Sequence, residues 1–246
     1  MNYSNFHTHT VYCDGKNTPE ELVLEAIRLG CPKIGFSGHS YIDYDESYCM
    51  SIEGTAKYKS EILSLKEKYK GRIDILLGVE QDYYSNEPTD GYEYVIGSVH
   101  AVKKGDEYLT VDLDKETQLE FVSRVYGGDF YSFCEDYYEL VSDVYNKTRC
   151  DIVGHFDLVT KFNESGCLFD TSHPRYRSAV KKALDSLLAC PVVFEINYGA
   201  MAKGYRSSPY PEDWIIDYIK SHGGRLMMNS DCHDARYLLY GFPTCE

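Results

Sequence analysis

Short apolar runs alternate with longer segments of mixed polarity along the whole chain, and this alternation predicts the architecture. Runs rich in Val, Ile and Leu stand at KIGFSGH (33–39), IDILLGVE (73–80), YVIGSVH (94–100), DIVGHFD (151–157), VVFEIN (192–197) and RLMMNSD (225–231). Runs this short read as buried strands. The opening run, which ends at His9, adds a seventh. Between them, apolar residues recur at helical spacing: Leu22, Ala26 and Leu29, then Val180, Leu184 and Leu187, then Trp214, Ile215, Tyr218 and Ile219 ahead of Gly223-Gly224. Thr18-Pro19-Glu20-Glu21 is a helix start, with threonine as N-cap, proline at the first helical position and Glu21 placed to close a capping box. Strand and helix in repeated alternation imply right-handed βαβ units with parallel strands, in an open sheet or a closed barrel. Residues from about 115 to 147 hold two helical patterns where one would suffice, which predicts a helical insertion between the fourth and fifth strands. A chain of 246 residues, 43% of them hydrophobic, is expected to form a single α/β domain over 1–246.

The carboxyl end of nearly every predicted strand carries a residue able to bind metal. In chain order these are His7 and His9, His39, Glu80, His100, His155, the region of Asn197, and Asp231 with His233. That rim is where parallel α/β barrels place their active sites, because the loops leaving the strands converge there, and this favours a barrel. Residues two apart on a strand share a face, so His7 and His9 can chelate one ion while Thr8 points away, and Asp231 and His233 have the same spacing. An isolated His-x-His is a weak signal, but six of the eight histidines fall at strand ends. His222, ahead of Gly223-Gly224, reads as an ordinary helix C-terminus, and His173, before Pro174, as a residue near a helix start. Glu80 and Asp231 end apolar strands, where an unpaired carboxylate is costly. Imidazole with carboxylate suits zinc, manganese or iron and not calcium.

Charge and cysteine content narrow the partners. The formal net charge of −14, without a run of Lys and Arg, argues against nucleic acid. No stretch approaches 18 apolar residues and MNYSNFHTHT does not resemble an export signal, so neither membrane insertion nor export is expected. Nine cysteines without a Cys-x-x-Cys pair suit reduced thiols and a cytoplasmic location. The 24 tyrosines suit half-buried helices as well as an aromatic pocket and by themselves point to no function.

The set HTH (7–9), GH (38–39), GVE (78–80), GSVH (97–100), GHFD (154–157) and NSDCH (229–233) resembles the polymerase and histidinol phosphatase (PHP) family. The resemblance is to its monofunctional histidinol-phosphate phosphatases, to which the stretch EINYGAMAKGYRSSPYP (195–211) is also similar. It implies a distorted seven-stranded (β/α) barrel of TIM-like type with three divalent ions, zinc, manganese or iron, at its mouth. The implied reaction is hydrolysis of L-histidinol phosphate, a small phosphate ester, to L-histidinol and phosphate in histidine biosynthesis. The family pattern places His7, His9, Glu80 and Asp231 on a first ion. It places Glu80, His100 and His155 on a second, and His39 and His233 with a residue of the first loop on a third. Many relatives carry histidine in that loop; Asp14 stands there in this chain, and Gly38 stands where relatives often have an acid. Asp231 and His233 are the candidate proton carriers. Arg206 is the preferred contact for the phosphoryl group, followed by Lys161 and Lys203, because each follows the fifth or sixth strand. Asp157, two residues after His155, is a candidate to orient that imidazole. Two further possibilities remain open from sequence: a family phosphoesterase acting on nucleotides or oligonucleotides, and a noncatalytic metal-binding domain.

Overall fold

The protein is described by a computed structural model covering residues 3–243. Six parallel strands form one curled sheet in the order β1-β2-β3-β6-β7-β8, with β1 at Lys33–Phe36, β2 at Asp74–Asp82, β3 at Tyr94–Ser98, β6 at Ile152–Val153, β7 at Val193–Asn197 and β8 at Arg225–Asn229. Each lies inside or within two residues of a predicted apolar run. The connections carry α1 (Pro19–Arg28), α2 (Ile52–Lys68), α3 (Lys115–Tyr126), α4 (Phe130–Thr148), α5 (Pro174–Leu188), the short α6 (Gly199–Ala202) and α7 (Asp213–Ser221). The capping box forms as expected: Glu21 N donates to the Thr18 hydroxyl at 3.3 Å, and Thr18 N donates to the Glu21 carboxylate at 2.8 Å. His173 caps the start of α5, its ring accepting from Arg175 N, and His222 ends α7. Among the described residues, no helix is long and apolar enough to cross a membrane.

The expected seventh strand is not a regular strand. Residues 5 to 9 instead touch both edges of the sheet through isolated parallel bridges, Asn5 to Ile34 beside β1 and Thr8 to Cys232 beyond β8. Side chains take over much of the hydrogen bonding that a ladder would supply. Phe6 N donates to Asn229 Oδ1 at 2.8 Å, Thr8 N to Ser37 Oγ at 3.0 Å, and the Thr8 hydroxyl to Gly35 O at 2.7 Å. The backbone is satisfied, but not by a repeating register.

The segment 115–147 folds into α3 and α4 as predicted, and α4 packs on β3 and α5, so it serves as the crossover helix between β3 and β6. An unpredicted antiparallel hairpin precedes it: β4 (Ala101–Lys104) and β5 (Glu107–Thr110), turning at Gly105, whose φ of 62° suits a residue without a Cβ. The core has two parts. The larger lies between the sheet and its helices, and a small inner cluster of Tyr94, Ile96 and Ile152 with Phe6, Leu76 and Met227 fills the sheet's concave side. Above this inner floor, side chains at the carboxyl ends of the strands enter the cleft.

Candidate metal centre

Strand alternation decides what meets above the floor. Glu80 on β2 points inward beside Ser98 of β3, whose hydroxyl donates to Glu80 Oε1 at 2.6 Å. The Glu80 carboxylate is surrounded by imidazoles. His7 Nε2 lies 3.1 Å and His39 Nδ1 3.0 Å from Oε2, while His155 Nε2 lies 3.0 Å and His100 Nε2 3.3 Å from Oε1. Asp231 Oδ1 sits 3.2 Å from His9 Nε2 and 3.6 Å from His7 Nε2. On the open side, Asp14 reaches His233 Nε2 at 3.1 Å, His39 Nε2 at 3.6 Å and His9 Nδ1 at 3.7 Å. The eight metal-type residues chosen from the strand ends therefore meet in one cluster with Asp14 of the first loop, which puts an oxygen beside His39 and His233.

Backbone geometry supports the same point. Asp231 adopts φ of 50°, a conformation that few non-glycine residues occupy and that tends to be retained at functional sites. Gly199 makes room for it, since a Cβ there would lie 2.7 Å from Asp231 Oδ2.

The electrostatics reflect crowding by opposite charge. Burial pushes the Glu80 carboxyl up, but His7, His39 and His100 outweigh it and hold the group well below the usual range. Asp231 is held low in the same way, burial being outweighed by His7, His9 and His233. His7 is raised despite complete burial, because Glu195, Asp231 and Glu80 face it. His9 is pushed down to about 3, by burial first and then by its neighbours His233 and His39.

Four buried ligand atoms, His7 Nε2, His9 Nε2, Glu80 Oε2 and Asp231 Oδ1, have no hydrogen-bond partner. Orphaned polar atoms at this depth are costly, and their convergence fits a cation better than any arrangement of protons. Four overlapping groups bring one ligand atom from each member within 4.8 Å of the others: His7, His9 and Asp231; His7, Glu80 and His155; His39, Glu80 and His100; and His9, Asp14, His39 and His233. Nitrogen and carboxylate oxygen in these groups could hold divalent transition metals.

The family model for the PHP domain matches residues 5–199, from the opening run to the first residue of α6. This chain belongs to the PHP domain family. It is 29% identical to the histidinol-phosphatase of Bacillus subtilis, over 97% of this chain and 96% of that one. A Listeria monocytogenes protein, named as a candidate histidinol phosphatase, superposes with a TM-score of 0.83 at 19% identity, covering 98% of each chain. The histidinol phosphate phosphatase of Lactococcus lactis, solved with zinc, L-histidinol and phosphate, superposes with a TM-score of 0.64 at 21% identity, over 94% of this chain and 86% of that one. At these identities the two structures show a shared PHP fold.

A cleft of about 230 Å³ opens onto the PHP site, with Asp14, His39, Glu80, His100, His155, Asp231 and His233 in its wall. Of the expected phosphate contacts, Lys161 and Lys203 line this cleft. Arg206, the preferred one, does not reach the wall. Its guanidinium lies behind, over the Tyr210 ring at 4.6 Å, and donates to the Thr160 hydroxyl and, at 3.4 Å, to Ser208 Oγ. Lys161 is itself tied down, its ammonium donating to Asp112 O at 2.7 Å and lying 3.2 Å from Asp112 Oδ2.

Asp157 does not orient His155. Its Oδ2 accepts from Glu212 N at 3.0 Å, and His155 Nδ1 has no hydrogen-bond partner. Burial raises the Asp157 carboxyl to about 6, with Arg206 opposing. The carboxylates that do hold imidazoles are Glu195, 2.6 Å from His7 Nδ1, and Asp82, 3.1 Å from His100 Nδ1. Neither was anticipated from sequence. A signal was present in VVFEIN, where a single acid interrupts an apolar strand, the same argument that selected Glu80.

Tyrosines also acquire a place. Tyr48 lines the cleft with its ring 5.0 Å from His39, and its hydroxyl lies 3.2 Å from that of Tyr44, which stacks at 4.3 Å on Tyr108 of the β4–β5 hairpin.

Proposed function

We propose that this chain is a metal-dependent phosphomonoesterase that hydrolyses L-histidinol phosphate to L-histidinol and phosphate. The observation that carries this is the convergence of unpartnered buried imidazole nitrogens and carboxylate oxygens at the base of a cleft whose wall also presents two lysines. The relationship with the Bacillus subtilis histidinol-phosphatase over nearly the full length of both chains supports the substrate. The ligands in the Lactococcus lactis structure agree with it.

Three ions are proposed, zinc, manganese or iron: the first held by His7, His9, Glu80 and Asp231, the second by Glu80, His100 and His155, and the third by Asp14, His39 and His233. Residues 5 to 9 are further proposed to act as the seventh stave of a distorted (β/α) barrel, their bridges to Ile34 and Cys232 supporting this, with 1–246 forming one domain.

Divalent ions bound there would supply positive charge to the phosphoryl oxygens and lower the pKa of an attacking water. The chain's own residues do the rest. Asp231 turns Oδ1 toward His7 and His9, on the side of the proposed ion, while its Oδ2 accepts from Asn197 Nδ2 at 3.2 Å, which fixes the orientation of the carboxylate beside the place where the attacking water would lose its proton. His233 Nδ1 donates to Asp231 O at 2.9 Å, which turns its Nε2 into the cleft beside Asp14. Lys161 and Lys203, on the wall, meet the remaining phosphate charge, with Arg206 one layer behind holding the Thr160 turn.

The test is a metal assay joined to a phosphate-release screen over histidinol phosphate, mononucleotides and oligonucleotides. Metal-dependent release from histidinol phosphate far above the nucleotides is the expected result. Preference for a nucleotide would redirect the assignment within the family, and bound metal without release from any ester would mark a noncatalytic domain.

A further inference from the structure

Glu195 lies at the centre of β7, fully buried, and each of its oxygens takes two donors. Oε1 receives His7 Nδ1 at 2.6 Å and Asn229 Nδ2 at 3.0 Å, and Oε2 receives His155 N at 2.8 Å and Asn197 Nδ2 at 2.9 Å. The two amides cannot turn round. Asn229 Oδ1 already accepts from Phe6 N at 2.8 Å, and Asn197 Oδ1 from Gly199 N at 2.8 Å, so backbone donors fix both NH₂ groups toward Glu195. The position therefore requires four acceptances and no donation, which a carboxylate provides and a carboxamide does not.

That arrangement has a consequence at His7. Its Nδ1 must carry a proton to face Oε1, so the lone pair is placed on Nε2, among Glu80 Oε2, Asp231 Oδ1 and His9 Nε2, the other orphaned ligand atoms. Asp82 does the same for His100 at a longer distance of 3.1 Å, but with a shell less completely closed. We propose that Glu195 is a positioning residue, which fixes His7 in the Nδ1–H tautomer and so orders Nε2 as a ligand for a divalent cation. The proposal depends on the metal centre assigned above, and it adds a residue that touches neither metal nor substrate.

Calorimetric titration of metal-free wild type, E195Q and E195D with Zn²⁺ and with Mn²⁺ tests it. Because removal of a carboxylate behind a ligating histidine costs about 10- to 100-fold in metal affinity, E195Q should bind its tightest ion that much more weakly, with E195D between. The metal-activation curve should move by the same factor while KM for histidinol phosphate holds at saturating metal. Equal affinity in wild type and E195Q overturns the positioning role and leaves the metal centre standing; a wild type that binds no cation overturns both. If E195Q does not fold, ¹⁵N-histidine spectra of the zinc-loaded wild type decide. A proton on His7 Nδ1 with zinc on Nε2, assigned through contacts to Asn229, supports the proposal, and zinc on Nδ1 overturns it.

Discussion

Glu80 is the side chain on which the most imidazoles converge, with four histidine nitrogens within 3.3 Å of its two oxygens. Glu80→Gln keeps the size and the Ser98 contact but removes the charge and makes one of the two groups a donor. Metal content should fall and turnover drop by about two or more decades, with the circular-dichroism spectrum unchanged. Full activity of a metal-saturated E80Q would contradict the proposal that Glu80 serves two ions. The proposed phosphate contacts separate by position: Lys203→Ala, on the wall, should lose about 10- to 100-fold in kcat/KM, the equivalent of a charge-assisted contact of about 1.5–3 kcal/mol. Arg206→Lys, one layer behind, should lose less, and similarly toward histidinol phosphate and an aryl phosphate. Steady-state kinetics on both esters measures the order, and a larger loss in R206K than in K203A would restore Arg206 to direct contact. These sites were unequally legible. A carboxylate or histidine at a strand end announces itself because nothing structural requires it there, so the metal-type residues could be chosen from sequence. The reach of Arg206 and the partners of His155 depend on how Tyr210, Thr160 and Glu212 pack, which no spacing encodes.

At the scale of elements, local chemistry predicted the helix starts and strand centres, and tertiary context decided the rest. Thr18, Pro19 and Glu21 define the beginning of α1 without help from the fold. Since an N-cap threonine replaced by alanine costs about 1 kcal/mol and a chain of this size loses roughly 2–4 °C per kcal/mol, Thr18→Ala should lower Tm by that amount. Metal stoichiometry and kcat should stay at wild-type values, because the cap is exposed and makes no contact with the site. A coupled loss of metal would show that α1 supports the first loop and Asp14 directly. The opening run illustrates the opposite case. Its alternation reads as a strand, yet Asn229, Ser37 and Gly35 satisfy its backbone and side chains from both sides, so its form is set by two sheet edges distant in sequence. The β4–β5 hairpin is not legible in AVKKGDEYLT because its burial does not alternate, with only Ala101, Val102 and Leu109 buried, and its turn also suits a loop.

For the whole molecule, the stability of the metal-free form and the affinity of the buried cluster for cations change in opposite directions with pH. In the metal-free protein, protonated His7 and His100 neutralise the carboxylates around them; burial lowers both, but Glu195, Asp231 and Glu80 raise His7, and Glu80 and Asp82 raise His100. A folded-state pKa above the unfolded value of about 6.5 gives stabilisation that is complete below that pH and disappears as pH rises through the folded value. Metal-free protein should therefore lose stability from about pH 6.5 upward, as carboxylates are left without their counter-cations. Cation binding requires the neutral imidazoles and competes with those same protons, so affinity should increase over the same range. At fixed free Zn²⁺, each tenfold gain in affinity adds about 1.4 kcal/mol to the folded state, or roughly 3–6 °C in Tm for a chain of this size. The difference in Tm between zinc-loaded and chelator-treated protein should widen as pH rises above about 6.5. Thermal melts of both forms across that range measure it. A constant or narrowing difference would mean that the imidazoles do not exchange protons for metal, and no difference at any pH would make the cluster an ion-paired core feature and not a metal centre.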